Sequence, residues 1–186
     1  MDRKSFLKTC VGGLCGCAAA CLTAPAGASA AETAKPDDSR WGFLKKRHAK
    51  LLQLVSDKMN EADLREILVK TGIFCSSEYD GMLEKYRGDV AGFAEHVKQS
   101  SSGDSITYSR EKNVITMTSP ERAECFCPLN GVAAKTPGVV CNCSLGWQQH
   151  SWEKVLHRKV RVELVEAVLR GGKRSTFKIN ISDQPI

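Results

Sequence analysis

Apolar residues recur with a helical period through the first half of the chain and with a period of two through much of the second. Between about Arg40 and Met59, the residues Trp41, Leu44, Leu51, Leu52, Val55 and Met59 share one face while Lys45, Lys46, Lys50 and Asp57 fall elsewhere. That pattern predicts an amphipathic first helix packed on a core. Asn60 is placed to cap a second helix, Glu61 to Lys70, with Leu64, Ile67 and Leu68 as its buried stripe and Gly72 as its stop. A third helix is predicted over Ser77 to Tyr86. Gly88-Asp89 separates it from a fourth, Val90 to Gln99, in which Val90, Phe93, Ala94 and Val97 align.

After the Ser-Ser-Ser-Gly stretch at 100–103 the alternation predicts strands over Ser105 to Arg110 and Val114 to Thr118, turned at Glu111-Lys112-Asn113. A helix follows from Cys143 or Ser144 to about Arg158, with Leu145, Trp152, Val155 and Leu156 inward. Two strands close the chain. Val160, Val162 and Leu164 alternate with polar neighbours, Gly171-Gly172 turns the corner, and Phe177, Ile179 and Ile181 alternate with Thr176, Lys178 and Asn180. The order predicts an α+β fold: N-terminal helices packed on a twisted antiparallel sheet, with one helix inserted before the last two strands.

The first thirty residues do not belong to that fold. Arg3, Lys4 and Lys8 precede a Gly- and Ala-rich apolar run that ends in Ala28-Ser29-Ala30, the form of a signal peptide over residues 1–30. A polar linker over 31–39 and one domain over 40–186 complete the organisation. Arg3-Lys4-Ser5-Phe6-Leu7-Lys8 resembles a bacterial twin-arginine signal with Lys4 in place of the second arginine. The export machinery is then a partner and the periplasm the destination, with a lipoprotein anchored at Cys21 as the alternative that Ala18-Ala19-Ala20-Cys21 suggests. The apolar run is too short for a comfortable membrane span.

Charge adds little: 27 basic against 21 acidic residues give a net +6, and the bases lie among acids except at Lys45, Lys46, Arg47 and Lys50. That patch lacks the aromatic interleaving of a nucleic-acid platform and reads as a solvated helix face.

The cysteines change the picture. Cys125 and Cys127 form one C-x-C pair and Cys141 and Cys143 another, thirteen residues apart, across a stretch carrying Pro128, Asn130, Gly131, Pro137 and Gly138. Such turn formers let the chain fold back and bring four sulfurs into one small volume. In an oxidising compartment they can become disulfides across the loop, since closing a C-x-C on itself is strained, and the chain is then a stapled structural module without a cofactor. The same four thiols match Zn²⁺, Cu(I) or an iron–sulfur cluster.

Cys75 makes the count odd, and its neighbours Ile73 and Phe74 favour burial. His150 lies two helical turns beyond Cys143, about 10 Å along the axis, too far to share a metal with it. Cys143, Trp147, His150, Lys154 and His157 do follow one helical face, so Trp147 and His150 are the candidates for lining a ligand pocket. Glu163 and Glu166 face opposite sides of a strand unless a bulge intervenes. No nucleophile elbow, phosphate loop, H-E-x-x-H or dinucleotide fingerprint is present.

The run Cys125-Phe-Cys-Pro-Leu, Cys141-Asn-Cys-Ser-Leu-Gly-Trp147, Val160-x-Val-Glu-Leu-Val-Glu166, Gly171-Gly172 and Phe177-Lys-Ile179 resembles the small-molecule-binding domains related to the 4-vinyl reductase family. It is more loosely similar to the L-2-amino-thiazoline-4-carboxylic acid hydrolase-like proteins. The resemblance extends over roughly residues 60–181. It implies the α+β fold shared with haem-based nitric oxide sensors and Golgi-tethering trafficking subunits, with a ligand between helices and sheet, and it makes Cys125, Cys127, Cys141 and Cys143 the metal or ligand positions. Where such relatives continue Gly-Gly-Asp-x-Cys-x-Phe in the last strand, this chain has Lys173 for the acid and Ser175 for the cysteine. The leading expectation is an exported protein that senses, carries or sequesters a metal or small ligand. The second resemblance implies instead a hydrolase of a small cyclic amide-like substrate, with Cys143 and His150 as its catalytic residues.

Overall fold

Four antiparallel strands in the order β1-β2-β4-β3 form a sheet whose core face is completed row by row. The structure is a computed structural model that describes residues 38–100, 103–127 and 138–186. The strands are β1 (Ser105–Ser109), β2 (Val114–Thr118), β3 (Arg158–Glu166) and β4 (Thr176–Pro185). Because side chains alternate, the pairing sets Ile106, Met117, Phe177 and Leu164 in one row and Tyr108, Ile115, Ile179 and Val162 in the next. The opposite face carries Thr107, Thr116, Lys178 and Glu163, then Ser109, Val114, Asn180 and Arg161. One face is therefore apolar and the other largely polar, the signature of a sheet covered by helices on one side only.

The cover is α5 (Asn142–Leu156), whose Leu145, Trp152 and Val155 are buried with the sheet's Ile115 and Ile179. His157 ends α5 in the left-handed region, at φ 54°, and turns the chain straight into β3. Phe93 of α4 (Val90–Gln99) meets Trp152 edge to face at 5.1 Å and closes the core from the other side. Helices on one face of an antiparallel sheet, with α5 inserted before the last two strands, are the predicted α+β arrangement.

Several local expectations are corrected. α2 (Glu61–Ser77) does start at the Asn60 cap, where Asn60 Oδ1 accepts the Asp63 amide at 2.9 Å, but it runs past Gly72 to Ser77. Gly72 does not stop the helix, because its role is to let α5 approach: a methyl group there would lie 1.8 Å from the Cys143 carbonyl oxygen. The same holds reciprocally at Gly146, where a methyl would meet the Val69 carbonyl oxygen at 1.9 Å. Four residues further along α2, the Ser76 and Ser151 hydroxyls hydrogen bond at 2.9 Å in the buried interface. The third helix shrinks to α3 (Asp80–Leu83) and a 3-10 turn over Glu84–Tyr86. Ile67 is exposed rather than part of the stripe formed by Leu64 and Leu68.

The first helix, α1 (Asp38–Ser56), is not core-packed as predicted: Trp41, Phe43, Leu44, Leu51 and Leu54 are all exposed, and Ala49 is its buried residue. The expected signal peptide, most of the linker and Cys21 lie outside the described residues. Among the described residues no helix is long and apolar enough to cross a membrane.

Candidate thiol site

The two ends of the cysteine loop are brought together by the connection between β3 and β4, not by the sulfurs themselves. On one side, Ser119 N donates to Ser175 O at 2.9 Å and Arg122 N to Lys173 O at 2.9 Å, extending the β2–β4 pairing beyond the strands. An Arg174–Glu121 ion pair reinforces it. On the other, the 3-10 turn Gly138–Cys141 leads into α5 and is held by Arg170, whose Nε donates to Gly138 O at 3.2 Å and Nη2 to Asn142 Oδ1 at 2.9 Å. The connection is itself shaped by Glu166, whose Oε1 accepts the Lys173 amide at 2.7 Å. A bulge between Leu164 and Glu166 turns Glu166 to the polar face with Glu163, but Glu166 is engaged by backbone and forms no acid/base couple with it.

Sequence reasoning missed Arg170 and Glu166 as organisers of this site. The signal available was the spacing of charged residues around Gly171-Gly172, which a local pattern assigns only to a turn.

Cys125 and Cys127 lie near enough to Cys141 and Cys143 to act on their titration. Cys127 N donates to Cys125 Sγ at 3.4 Å, a contact that a tight backbone turn within the C-x-C requires. Burial pushes the Cys141 thiol up to about 11; Cys125 adds to the rise, Arg170 opposes it, and Cys143 and Cys127 add smaller contributions. Burial likewise pushes Cys143 up to about 11, with Cys127 the strongest raising neighbour, Ser144 lowering it and Cys75 raising it further.

Cys75 is exposed, against the expectation of burial. Cys75, Cys141 and Cys143 carry free thiols. Among the described residues no three His, Cys, Asp or Glu side chains converge as they stand on a point where a metal ion could sit.

Trp147 and His150 lie further along α5. The Trp147 ring rests against Tyr79, centroids 5.3 Å apart. His150 Nε2 donates to Asp80 Oδ1 at 2.6 Å, and Lys154 Nζ reaches the second Asp80 oxygen at 2.9 Å. Those two hydrogen bonds, His150 first, hold the Asp80 carboxyl below its usual range. The last residue of the predicted face, His157, meets Arg87 at 2.7 Å. Chemically this is a tie between α3 and α5, and it directs His150 to a carboxylate rather than to a thiol. Among the described residues, shallow surface depressions lie beside α1 at Phe43 and Leu44 and beside Val165, Glu166 and Arg170.

The arrangement of helices and sheet defines the chain as one of a known α+β fold. A solved structure with that fold is trafficking protein particle complex subunit 3 from Naegleria fowleri, covalently bound to palmitic acid. It is 15% identical to this chain with a TM-score of 0.58, covering 81% of this chain and 99% of that one. More distant are a vinyl-4-reductase family protein from Methanocaldococcus jannaschii (14% identity, TM-score 0.38, 82% of this chain and 85% of that one) and the SO2144 H-NOX domain from Shewanella oneidensis in its Fe(II)CO state (14%, 0.41, 78% and 90%). At these identities the likeness is one of fold. No protein-family model and no curated protein matches the chain.

Proposed function

We propose that this chain is an exported binding protein that takes up a soft metal ion through Cys125, Cys127, Cys141 and Cys143. The observation that supports the proposal is that Cys141 and Cys143, at the start of α5, are desolvated and their thiols pushed up by burial first and then by other cysteines of the two C-x-C pairs. Such a set suits Zn²⁺ or Cu(I), because a cation among sulfurs displaces their protons and offsets their mutual repulsion as thiolates. The residues fit the ion in kind; in position they have yet to converge. The stretch 128–137, which joins the pairs, lies outside the described residues. The ion, when bound, would supply a fixed charge and a cross-link between the loop and α5.

The hydrolase alternative has less support. Its nucleophile would be Cys143, raised to about 11 rather than lowered, and its base His150, which is bonded to Asp80. A small organic ligand resting against Trp147 is compatible with the fold, but Trp147 is covered on one side by Tyr79.

The test is a competitive Zn²⁺ titration under reducing conditions against a chromophoric chelator. The parent chain is expected to bind one ion, and Cys125→Ser and Cys141→Ser to weaken it at least about tenfold each, the scale on which even supporting residues of metal sites act. Unchanged affinity in both variants would refute the assignment.

A further inference from the structure

Among the described residues, α1 turns most of its large apolar side chains away from the fold. Ala49 is its buried residue, while Phe43, Leu44, Leu51 and Leu54 are between 49% and 63% exposed. At about 100° of rotation per residue, Arg40, Leu44, Arg47, Leu51 and Leu54 fall within about 40° of the line opposite Ala49, and Phe43 within about 60°. Arg40 and Arg47 are exposed with them. Lys50 and Lys46 run along one border of this face, and on the other Lys45 holds its Nζ 5.4 Å from the centre of the Trp41 ring. The helix carries five bases, Arg40, Lys45, Lys46, Arg47 and Lys50, against one acid, Asp38. Its outward side is thus apolar and cationic at once.

We infer that this face of α1 lies flat on an anionic lipid surface. A helix with Phe and Leu on one side and Lys and Arg around them settles at the boundary of headgroups and acyl chains, where apolar area and charge both contribute. Arg40 and Arg47, set among the leucines, reach up to phosphates through their long stems, while the leucines and Phe43 enter the acyl boundary. The charge pattern decides against other occupants. A second copy paired across a two-fold axis, parallel or antiparallel about the middle of α1, would bring Arg47 against Arg47 inside an apolar seam, and like charges so placed oppose association. A protein groove would need carboxylates buried in its floor opposite both arginines, at a heavy desolvation cost. Lipid phosphates are present at every position along the helix and stay hydrated. The contact is peripheral, since no helix among the described residues is long and apolar enough to cross a membrane. It goes beyond the metal proposal and does not depend on it.

An export signal binds anionic lipid by itself, so the test compares the full chain with one that begins at Ala31; residues 36–186 form a compact unit of their own. Thermal melts of the two chains establish that the shorter one is folded. Each is sedimented with vesicles of phosphatidylcholine alone or mixed with phosphatidylglycerol. The shorter chain is expected to bind the mixed vesicles, to ignore phosphatidylcholine, and to come off as salt rises. Arg47→Gln with Lys50→Gln is expected to weaken binding at least about tenfold, because each base near an anionic surface is worth about fivefold. Leu44→Ser with Leu51→Ser is expected to weaken it comparably. Lys112→Gln with Lys159→Gln removes the same charge from exposed positions elsewhere and is expected to shift binding by no more than about twofold. All six positions are exposed, so the variants are expected to melt with the parent. The same pairs in the full chain are expected to rank in the same order. Binding by the full chain alone would assign it to residues 1–30 and overturn the inference, as would equal weakening by the control pair. A dimer that Leu44→Ser with Leu51→Ser dissolves, in a shorter chain that ignores the mixed vesicles, would overturn it in favour of a second copy.

Discussion

Cys141 and Cys143 show how far a side chain's chemistry is set by position. Both thiols are lifted from their ordinary 9.0 to about 11, burial first and neighbouring sulfurs after. The sign of the consequence follows from linkage: between about pH 9 and 11 the unfolded chain has released these protons and the folded one has not. Their contribution is complete below the unfolded value and is lost as pH rises through the folded one. Denaturant titrations with reductant present are expected to show the chain losing about 1 kcal/mol or more between pH 8 and pH 10.5, since a tenfold change in proton affinity corresponds to about 1.36 kcal/mol. The Cys141→Ser, Cys143→Ser double variant is expected to lose less over the same range. An equal loss in the variant would show that these thiols are not the groups concerned. That the two C-x-C pairs are the stretch to examine for chemistry was legible in their spacing and in the turn formers between them. The state of Cys75 was not, because hydrophobic neighbours say nothing about which side of a helix is covered: Phe74 itself is 66% exposed.

Between elements, the contact that positions the site is the crossing of α2 and α5 at Gly72 and Gly146. A glycine inside a helix costs about 1 kcal/mol relative to alanine, and here the cost is offset by bringing two backbones into contact. Gly72→Ala would force a methyl against the Cys143 carbonyl and is expected to destabilise the chain by about 3 kcal/mol, within the range measured for overpacking, while displacing the start of α5. Gly81→Ala, where a methyl meets nothing within 4 Å, is the control and is expected to change stability by no more than about 0.5 kcal/mol. Thermal melts of the two variants compare them directly; equal melting temperatures would contradict the crossing. From sequence, Gly72 read as a helix stop because that is the local meaning of glycine. Its partner lies some seventy residues away, and only the assembled pair of helices reveals why it is small.

At the scale of the whole molecule, alternation made the four strands and α5 legible, and the resemblance to sheet-and-helix ligand-binding domains anticipated the fold seen in the trafficking subunit. The pattern of α1 misled: its apolar residues recur at helical intervals, yet most of them are exposed. The anchoring of both loop ends on residues 166–175 was hidden as well, since it depends on a bulge and on hydrogen bonds to backbone that no periodicity encodes. The most direct test is the intact mass of the chain recovered without reductant, recorded first under native conditions and then after acid denaturation. The account predicts a one-ion adduct on the native chain that disappears on denaturation and leaves Cys125, Cys127, Cys141 and Cys143 open to alkylation. A native chain without an adduct, with those four cysteines already closed as disulfides, would contradict it.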